Sequence, residues 1–213
     1  WVSADWKPST RLSVLAGRRL NLFSVLGGAP YYELDSDGNI IKTLNYGKGE
    51  IVKTHYTIEP RVSGNLKLNE TSSIKAGYAI TGQNIRPLYN NGMATVFNRY
   101  TMSSNIIKPE VAHQVSVGYA KMLCDDNYEL QAEAYYKTID NVLDYKDGMK
   151  FSSEIEAERI ILSGRGRSYG LELMGRKRMG KLTGWVSYTL SWTENKIDGI
   201  NTGKWYTASN DRR

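Results

Sequence analysis

Two polar stretches of the chain carry side chains that suit contact with a ligand. Aromatic rings stack on sugars and planar chelates, and Arg and Asn side chains supply hydrogen bonds in fixed directions. Residues 27–50 are rich in tyrosine, and residues 84–100 combine tyrosine with arginine and asparagine. We expect ligand contacts from Tyr31, Tyr32, Tyr46, Arg86, Tyr89, Asn90, Asn91, Arg99 and Tyr100. The same side chains also suit loops that only pack on one another, and the sequence leaves this alternative open.

The segment DSDGN at 35–39 begins like a calcium-binding loop, with Asp35, Asp37 and Asn39 at alternate positions. An EF-hand requires a bidentate Glu at its twelfth position, which is Tyr46 in this chain. Asp and Asn side chains also stabilise tight turns through hydrogen bonds to nearby backbone. We therefore interpret the segment as a turn and predict no metal site.

The sequence contains no recognisable catalytic motif. Neither His55 nor His113 has a sequence neighbour that would orient it toward a nucleophile. Cys124 is the one cysteine, so no disulfide can form within the chain. The segment GRGRSYG at 164–170 is not a phosphate-binding loop, because its third glycine is misplaced and a predicted strand follows it. We predict a protein that is not an enzyme and that carries no cofactor.

The formal net charge is +6, from 28 basic and 22 acidic residues. Most basic residues are dispersed, apart from a run at 164–181. A basic stripe suits nucleic acid, but no base-stacking motif accompanies this run. We therefore predict a solvated strand and turn there, and no nucleic-acid partner.

Strands must position these side chains, because apolar residues recur at every second position. In 182–192 the even-numbered residues are apolar or glycine, and most odd-numbered residues carry a hydroxyl group. Successive side chains of a strand point to opposite faces, so the alternation predicts a strand. This strand is longer than the usual length of about 5–6 residues. We predict eight strands, at 1–6, 11–24, 58–68, 72–83, 110–123, 128–142, 167–178 and 182–198.

The connections between these strands alternate in length. Short segments rich in Pro, Gly, Asn, Asp and Ser predict tight turns at 7–10, 69–71, 124–127 and 179–181. Long segments lie between them, at 25–57, 84–109 and 143–166. Alternate connections of an antiparallel meander lie at opposite ends of the sheet. We therefore predict that one end has only short turns and that the other has only long loops, which in compact domains are usually functional or disordered.

Strands of this length suit a membrane β-barrel. A tilted strand crosses the hydrocarbon in about 9–11 residues, and spanning strands must close into a barrel to satisfy their backbone groups. Outer-membrane barrels have short turns at one end, long loops at the other and aromatic girdles, and this chain has 15 Tyr and 5 Trp against 3 Phe. The predicted lipid-facing residues are Val115, Val117, Tyr119, Leu130, Leu171, Val186 and Leu190. The predicted channel-facing residues are Gln114, Ser116, Glu129, Gln131, Glu133, Glu172, Thr183 and Ser187.

The alternation alone leaves a soluble fold open. Hydrophobic content of 40% and a mean hydropathy of −0.48 exclude a membrane protein that spans with helices. A soluble β-sandwich also has one apolar and one polar face on each sheet. A carbohydrate-binding or adhesin module of that fold is therefore the alternative, although strand length and one-sided loops favour the barrel.

Several segments resemble a known family. NIIKPEVAHQVSVGYAKMLCDDNYELQAEAYYKTIDNVLDYKDG at 105–148, GRGRSYGLEL at 164–173 and the stretch 182–213 resemble the strands of TonB-dependent outer-membrane receptors, particularly those of Bacteroidetes. The segments at 5–21 and 58–79 are similar to strand-turn-strand units of the same family. Each motif is weak alone, but their common order along nearly the whole chain is specific. The chain therefore resembles the C-terminal β-barrel portion of such a receptor.

The resemblance implies a fold, a location and partners. It implies an all-β, antiparallel up-and-down meander of about eight long strands, a segment of a 22-stranded transmembrane barrel in a Gram-negative outer membrane. Both ends of the chain look cut, so we expect 1–213 to be one partial barrel domain without the plug domain and the remaining strands. The implied function is import of a scarce nutrient such as a siderophore, cobalamin or glycan. The implied partners are outer-membrane lipid, the TonB–ExbB–ExbD complex acting through the plug, the small-molecule or glycan substrate, and a surface lipoprotein.

Overall fold

A computed structural model describes residues 1–35, 38–88, 99–146, 161–209 and 211. The described part is all-β apart from a 3₁₀ turn at Asn201–Gly203, and it contains 13 strands. The strands are β1 (Val2–Trp6), β2 (Leu12–Leu26), β3 (Pro30–Leu34), β4 (Ile40–Asn45), β5 (Ile51–Lys67), β6 (Ser72–Gln83), β7 (Ile85–Leu88), β8 (Arg99–Met102), β9 (Glu110–Leu123), β10 (Tyr128–Tyr145), β11 (Ile161–Lys177), β12 (Gly184–Lys196) and β13 (Tyr206–Thr207).

Nine strands form one antiparallel sheet in the order β1-β2-β5-β6-β9-β10-β11-β12-β13. The other four form two hairpins, β3–β4 and β7–β8, which lie in the long connections. The predicted antiparallel meander is therefore confirmed. No helix in the described ranges is long and apolar enough to cross a bilayer.

The predicted strands exist, but several bounds and connections needed correction. β6 and β9 have the predicted bounds, whereas β5 begins at Ile51 instead of residue 58. β10 and β11 also extend into the predicted loop at 143–166. The hairpins β3–β4 and β7–β8 lie where only loops were predicted, and β13 was missed. Their short, mixed sequences lack the long alternation that identified the other strands.

The tight turns lie where the sequence predicts them, at what we call the turn end of the sheet. The Oγ of Ser9 accepts hydrogen bonds from the backbone N–H of Arg11 and Leu12. Cys124, Asp125 and Asp126 adopt positive φ angles of 53°, 53° and 63°. Asn127 N–H closes this turn on the Cys124 carbonyl oxygen at 3.1 Å. Asp tolerates the left-handed region better than most residues, which favours this turn between β9 and β10.

One face of the sheet, the apolar face, exposes its large hydrophobic side chains. Val115, Val117 and Val186 are 51%, 53% and 76% exposed, as expected for the lipid-facing set. Buried apolar residues of the described part lie instead near the long-connection end, which we call the outer end. They are Val25, Ile107, Ala112, Ile197, Ile200 and Ala208. No second sheet covers the apolar face of the described residues, so the structure does not favour the sandwich alternative.

Cross-strand pairing arranges the apolar face in rows. At the turn end, Tyr128 lies beside Lys177, whose Nζ is 5.8 Å from the ring centroid. Toward the outer end, the rings of Tyr136, Tyr169 and Trp192 stack side by side, with centroids 6.2 Å and 5.5 Å apart. We call this second set the aromatic row. Eight residues separate Tyr128 from Tyr136, or about 26 Å along the strand. At a tilt of about 40° this length spans about 20 Å of the ~25 Å apolar band of outer-membrane barrels.

Candidate functional site

The opposite face of the sheet, the polar face, contains an open groove of about 660 Å³. Strands β2, β5, β6 and β9 supply most of its lining because their polar side chains share this face. The charged residues of the lining include Arg19, Glu59, Arg61, Lys75 and Glu133. The predicted channel-facing residues Gln114, Ser116 and Glu133 lie in this groove. The groove therefore lies on the face opposite the exposed valines, and its lining mixes charged side chains with apolar ones such as Leu15.

Glu59 is the most deeply buried charged side chain of the groove, with an exposure of 0%. Its Oε2 lies 2.8 Å from Arg19 Nε and 2.6 Å from Arg19 Nη2. Its Oε1 accepts a hydrogen bond from the Gly82 backbone N–H at 3.0 Å. A buried carboxylate is tolerated when it is paired and hydrogen-bonded in this way. Arg19 and Glu59 therefore neutralise each other, and they link β2, β5 and β6.

The β3–β4 hairpin holds the predicted ligand residues Tyr31 and Tyr32, and Tyr46 directly follows it. The rings of Tyr31 and Tyr46 meet edge to face, with centroids 6.0 Å apart. Tyr31 OH donates to the Leu26 carbonyl oxygen at 2.9 Å, which ties the hairpin to the end of β2. The structure therefore brings Tyr31 and Tyr46 into contact at the base of the β3–β4 hairpin.

Residues 103–109, which we call the strap, lie between β8 and β9 at the outer end. Ser104 Oγ accepts from the backbone N–H groups of Ile106 and Ile107 and shapes a turn. His55 Nε2 donates to the Ser104 carbonyl oxygen at 2.8 Å. Asn105 Nδ2 donates to the Tyr32 carbonyl oxygen at 2.8 Å. The strap thus connects β5 with the β3–β4 hairpin.

Arg86 is buried and bound by the chain itself. Its guanidinium donates to the carbonyl oxygens of Asn141 at 2.6 Å and Lys108 at 2.8 Å, and it lies 3.3 Å from Glu110 Oε2. Burial lowers the pKa of Arg86, although the Glu110 carboxylate opposes that shift. The group remains charged, as arginines do in proteins. In this structure Arg86 fastens the β7–β8 hairpin to the strap and to β10.

Of the remaining predicted ligand residues, two lie on β8 and three lie outside the described residues. Tyr100, on β8, is 68% exposed and faces solvent. Arg99 begins the same strand, next to Tyr100. Tyr89, Asn90 and Asn91 lie outside the described residues. The structure thus places Arg99 and Tyr100 on a different hairpin from Tyr31, Tyr32 and Tyr46.

Sequence reasoning missed Glu59, His55, Asn105 and Asn141 as organisers of the site. Asn141 adopts φ of 60° at a bulge in β10, and its Nδ2 donates to the Pro109 carbonyl oxygen at 2.8 Å. An Asn that interrupts a strand pattern is a signal for such a bulge. Glu59 gave no comparable signal, because a glutamate on a polar strand face is ordinary.

Asp35 and Asn39 contact each other at the tip of the β3–β4 hairpin. Asp35 Oδ1 accepts from the Asn39 backbone N–H at 2.8 Å, and Asp35 Oδ2 accepts from Asn39 Nδ2 at 3.1 Å. Asp37 lies outside the described residues. Within the described ranges, no group of three or more His, Cys, Asp or Glu side chains is arranged to hold a metal ion.

Comparison with known proteins decides the family. Residues 1–213 match the sequence profile of the family described as TonB dependent receptor-like, beta-barrel. The chain belongs to this family of TonB-dependent receptors. Its members are receptors and transporters of the Gram-negative outer membrane rather than enzymes. The match agrees with the predicted family; assignment to the Bacteroidetes type stays a prediction. Curated protein sequences gave no match.

Solved structures with the same fold include three receptors or transporters. The FrpB iron transporter of Neisseria meningitidis (F3-3 variant) is 15% identical with a TM-score of 0.60, over 95% of this chain and 26% of that chain. The alcaligin outer-membrane receptor FauA of Bordetella pertussis is 14% identical with a TM-score of 0.55, over 90% and 29%. The copper transporter OprC is 17% identical with a TM-score of 0.56, over 90% and 28%. The receptor chain described here thus spans about a quarter of the length of these proteins.

The receptor fold explains the two faces of the sheet. In a barrel wall the apolar face lies against lipid, and the polar face lines the interior. The outer-end hairpins and the strap then stand at the mouth of the receptor. The described candidate ligand residues lie on or next to these outer-end hairpins, and the Arg19–Glu59 pair lies in the main sheet.

Proposed function

We propose that this chain forms part of the wall and mouth of a 22-stranded barrel that imports a scarce nutrient across the outer membrane. The observation that carries the proposal is the division of one sheet into an exposed apolar face and a concave polar groove. Such a sheet needs hydrocarbon on one side and water on the other. Family membership supports the same role.

The proposed substrate is a siderophore, cobalamin or glycan that first meets the outer-end hairpins. Tyr31, Tyr32 and Tyr46 supply aromatic surface from one hairpin, and Arg99 and Tyr100 supply a cation and a ring from the other. Rings of this kind bind sugars and chelates through their faces. Similar solved proteins are named for iron, alcaligin and copper, but identities of 14–17% support the fold alone.

The proposed partners follow from the two faces. Outer-membrane lipid covers the apolar face, and a plug domain of the same polypeptide occupies the interior. The TonB–ExbB–ExbD complex drives uptake through that plug. A surface lipoprotein that covers the mouth is a further candidate partner, since long outer connections would meet it first.

The proposal is tested by deleting the gene in its host and measuring uptake of radiolabelled ferric siderophores, cobalamin and oligosaccharides. We expect loss of uptake of one compound class, restored by the gene but not in a strain that lacks TonB. Unchanged uptake of every class would contradict the importer. Recovery of the receptor polypeptide from the soluble fraction without detergent would instead favour the soluble module.

A further inference from the structure

The sheet contains a break between β5 and β6. The two strands pair only from Arg61–Ala79 to Lys67–Ser73. Toward the outer end, β5 continues to Ile51 paired with β2, and β6 continues to Gln83 paired with β9. We call this unpaired interval the seam. It begins next to Tyr78, which is in register with the aromatic row through Val115, so it lies at the outer boundary of the apolar band.

The seam separates two lobes at the outer end. The first lobe consists of β3, β4 and the outer parts of β2 and β5, which are paired with each other. The second lobe consists of the outer parts of β6 and β9–β12, with β7, β8, β13 and the strap. Below the seam the same strands form a continuous ladder, so the lobes share one rigid base.

Side chains replace the missing ladder across the seam. The Glu59 carboxylate, held by Arg19, accepts from the Gly82 backbone N–H. Gly82 lies so close to β5 that an added Cβ would meet three side-chain atoms of Thr57 at 2.8–3.0 Å. The absence of a side chain at Gly82 allows β6 to approach Thr57 of β5 this closely.

Two more hydrogen bonds between described residues cross the seam, and both involve the strap. They are His55 to the Ser104 carbonyl and Asn105 to the Tyr32 carbonyl, each at 2.8 Å. Near the strap, a cavity of about 290 Å³ lies between Leu34 of the first lobe and residues of the second lobe, among them Ile106 and Leu143. Between the described residues, the lobes are therefore joined by polar hydrogen bonds rather than by a strand ladder, and a cavity lies between them. Few backbone bonds and incomplete packing are typical of a region that opens locally.

The seam also divides the candidate ligand residues. Tyr31, Tyr32 and Tyr46 belong to the first lobe, whereas Arg99 and Tyr100 belong to the second. A ligand that contacts both sets must bridge the seam. Its binding energy would then favour whichever arrangement of the lobes lets both sets touch it.

We propose that the seam is a hinge, with Glu59 as the positioning residue that clasps the first lobe to the second when the mouth is closed. The hinge itself needs only the fold, and its use in capturing a nutrient rests on the proposed function. The lobes pivot at Arg61–Ala79, where the ladder ends. Release of the Glu59 clasp frees β5, the β3–β4 hairpin and its tyrosines to move away from β6.

The hinge is tested first by hydrogen exchange on the complete receptor in lipid, which needs no knowledge of the substrate. Glu59→Gln keeps the shape of the side chain but removes the charge that holds Arg19. We expect exchange of the Gly82 backbone amide, which the Glu59 carboxylate bonds across the seam, to rise at least about tenfold, the factor for losing about 1.4 kcal/mol of a charge-assisted hydrogen bond. Amides of 52–59 that pair with β2 should keep their rates, because the first lobe moves as a unit. Glu133→Gln, on the same polar face and without an ion pair among the described residues, is the matched control and should leave these rates unchanged.

Equal exchange of the Gly82 amide in wild-type receptor and Glu59→Gln, in properly inserted protein, would overturn the clasp and with it the hinge. Amides in 62–66 and 111–122 belong to continuous ladders and report whether the variant is folded. If those amides also lose protection, Glu59→Asp replaces Glu59→Gln as the test, because the shorter side chain keeps the charge for Arg19 but withdraws the carboxylate from the Gly82 N–H.

The second test locks the seam with a disulfide. A Cβ at Gly82 would lie 3.0 Å from Thr57 Cβ, closer than the ~3.5–4.5 Å of natural disulfides, so the strands must separate slightly to accept the bond. The reduced pair, in which Gly82→Cys already disturbs the Glu59 bond, is the unlocked reference. We expect oxidised Thr57→Cys/Gly82→Cys receptor to transport at least about tenfold more slowly than its reduced form. The control pair Ser63→Cys/Gly77→Cys joins directly paired residues below the seam and should transport equally in both states. A locked receptor that transports at the control rate would refute the use of the hinge in uptake, even where hydrogen exchange supports the hinge.

Discussion

At the scale of single residues, buried charges organise the outer end of this receptor. Arg86 was predicted as a ligand residue from its type and loop position, but the structure shows its guanidinium bound to Asn141, Lys108 and Glu110. Residue type alone cannot separate these roles, because an arginine fork suits carbonyl oxygens of the chain as well as a ligand. Tyr100 keeps the exposure that a ligand contact needs.

We expect Arg86→Ala to loosen the strap and the β7–β8 hairpin by about 3 kcal/mol, because it leaves buried carbonyls and Glu110 without their partner. Limited proteolysis of folded receptor within 84–110 measures this. Arg165→Ala is the control, since Arg165 is 3.7 Å from Asp140 and its side chain is 81% exposed. That exposed pair should contribute less than about 1 kcal/mol. Equal proteolysis of both variants would contradict the fastening role of Arg86.

We expect Tyr100→Ala to weaken binding of the transported nutrient by at least about 1 kcal/mol if its ring contacts the ligand. Equilibrium binding to the complete receptor measures the loss. Tyr56→Ala is a matched control: Tyr56 is 73% exposed, but it shares the apolar face with Leu22 and Ile58. If both substitutions leave affinity unchanged, Tyr100 only packs or faces solvent.

At the scale of elements, the alternation of apolar and polar residues predicted the strands of the main sheet well and the elements of the outer end poorly. The bounds of β6 and β9 could be predicted because apolar and polar residues alternate up to each turn. The outer part of β5 could not, since Lys53, Thr54 and His55 interrupt the apolar pattern while still pairing with β2. The seam had one sequence signal that was not used: Pro60, next to the last paired residue Arg61, has no backbone N–H to donate to a ladder. The contacts of Glu59 and the space at Gly82 are tertiary and could not be predicted.

An added charge should destabilise the barrel more on the apolar face than on the polar face. Leu173 lies midway between Tyr128 and the aromatic row, opposite Ala132 and Tyr188. We expect Leu173→Arg to destabilise the inserted barrel by about 2–4 kcal/mol, the cost of Arg near the bilayer midplane. Thr189→Arg, on the polar face opposite Glu172, should cost much less. Unfolding by denaturant in lipid vesicles compares them, and equal losses would contradict the assignment of faces.

At the scale of the whole molecule, the described sheet is open. β1 pairs with β2 alone, and β13 covers β12 only at Glu194 and Asn195. Unpaired edges and an exposed apolar face both promote association in water. Further paired strands would cover these edges, and lipid would cover the apolar face.

We expect residues 1–213 expressed alone to associate in buffer without detergent, because hydrocarbon-facing side chains such as Val115 and Val186 meet water. Size-exclusion chromatography with light scattering measures the mass. A monodisperse monomer in plain buffer would mean that the apolar face is covered within the chain, as in the soluble alternative. Detergent should reduce the association if the faces are assigned correctly.

The turn between β9 and β10 has a consequence for how such proteins diversify. Three left-handed residues, Cys124, Asp125 and Asp126, fix the alignment of the two strands from the end farthest from the mouth. Insertions or deletions in the outer connections therefore leave the register of β9 and β10 unchanged. The length and sequence of the outer connections can therefore change while the strands below keep the same pairing.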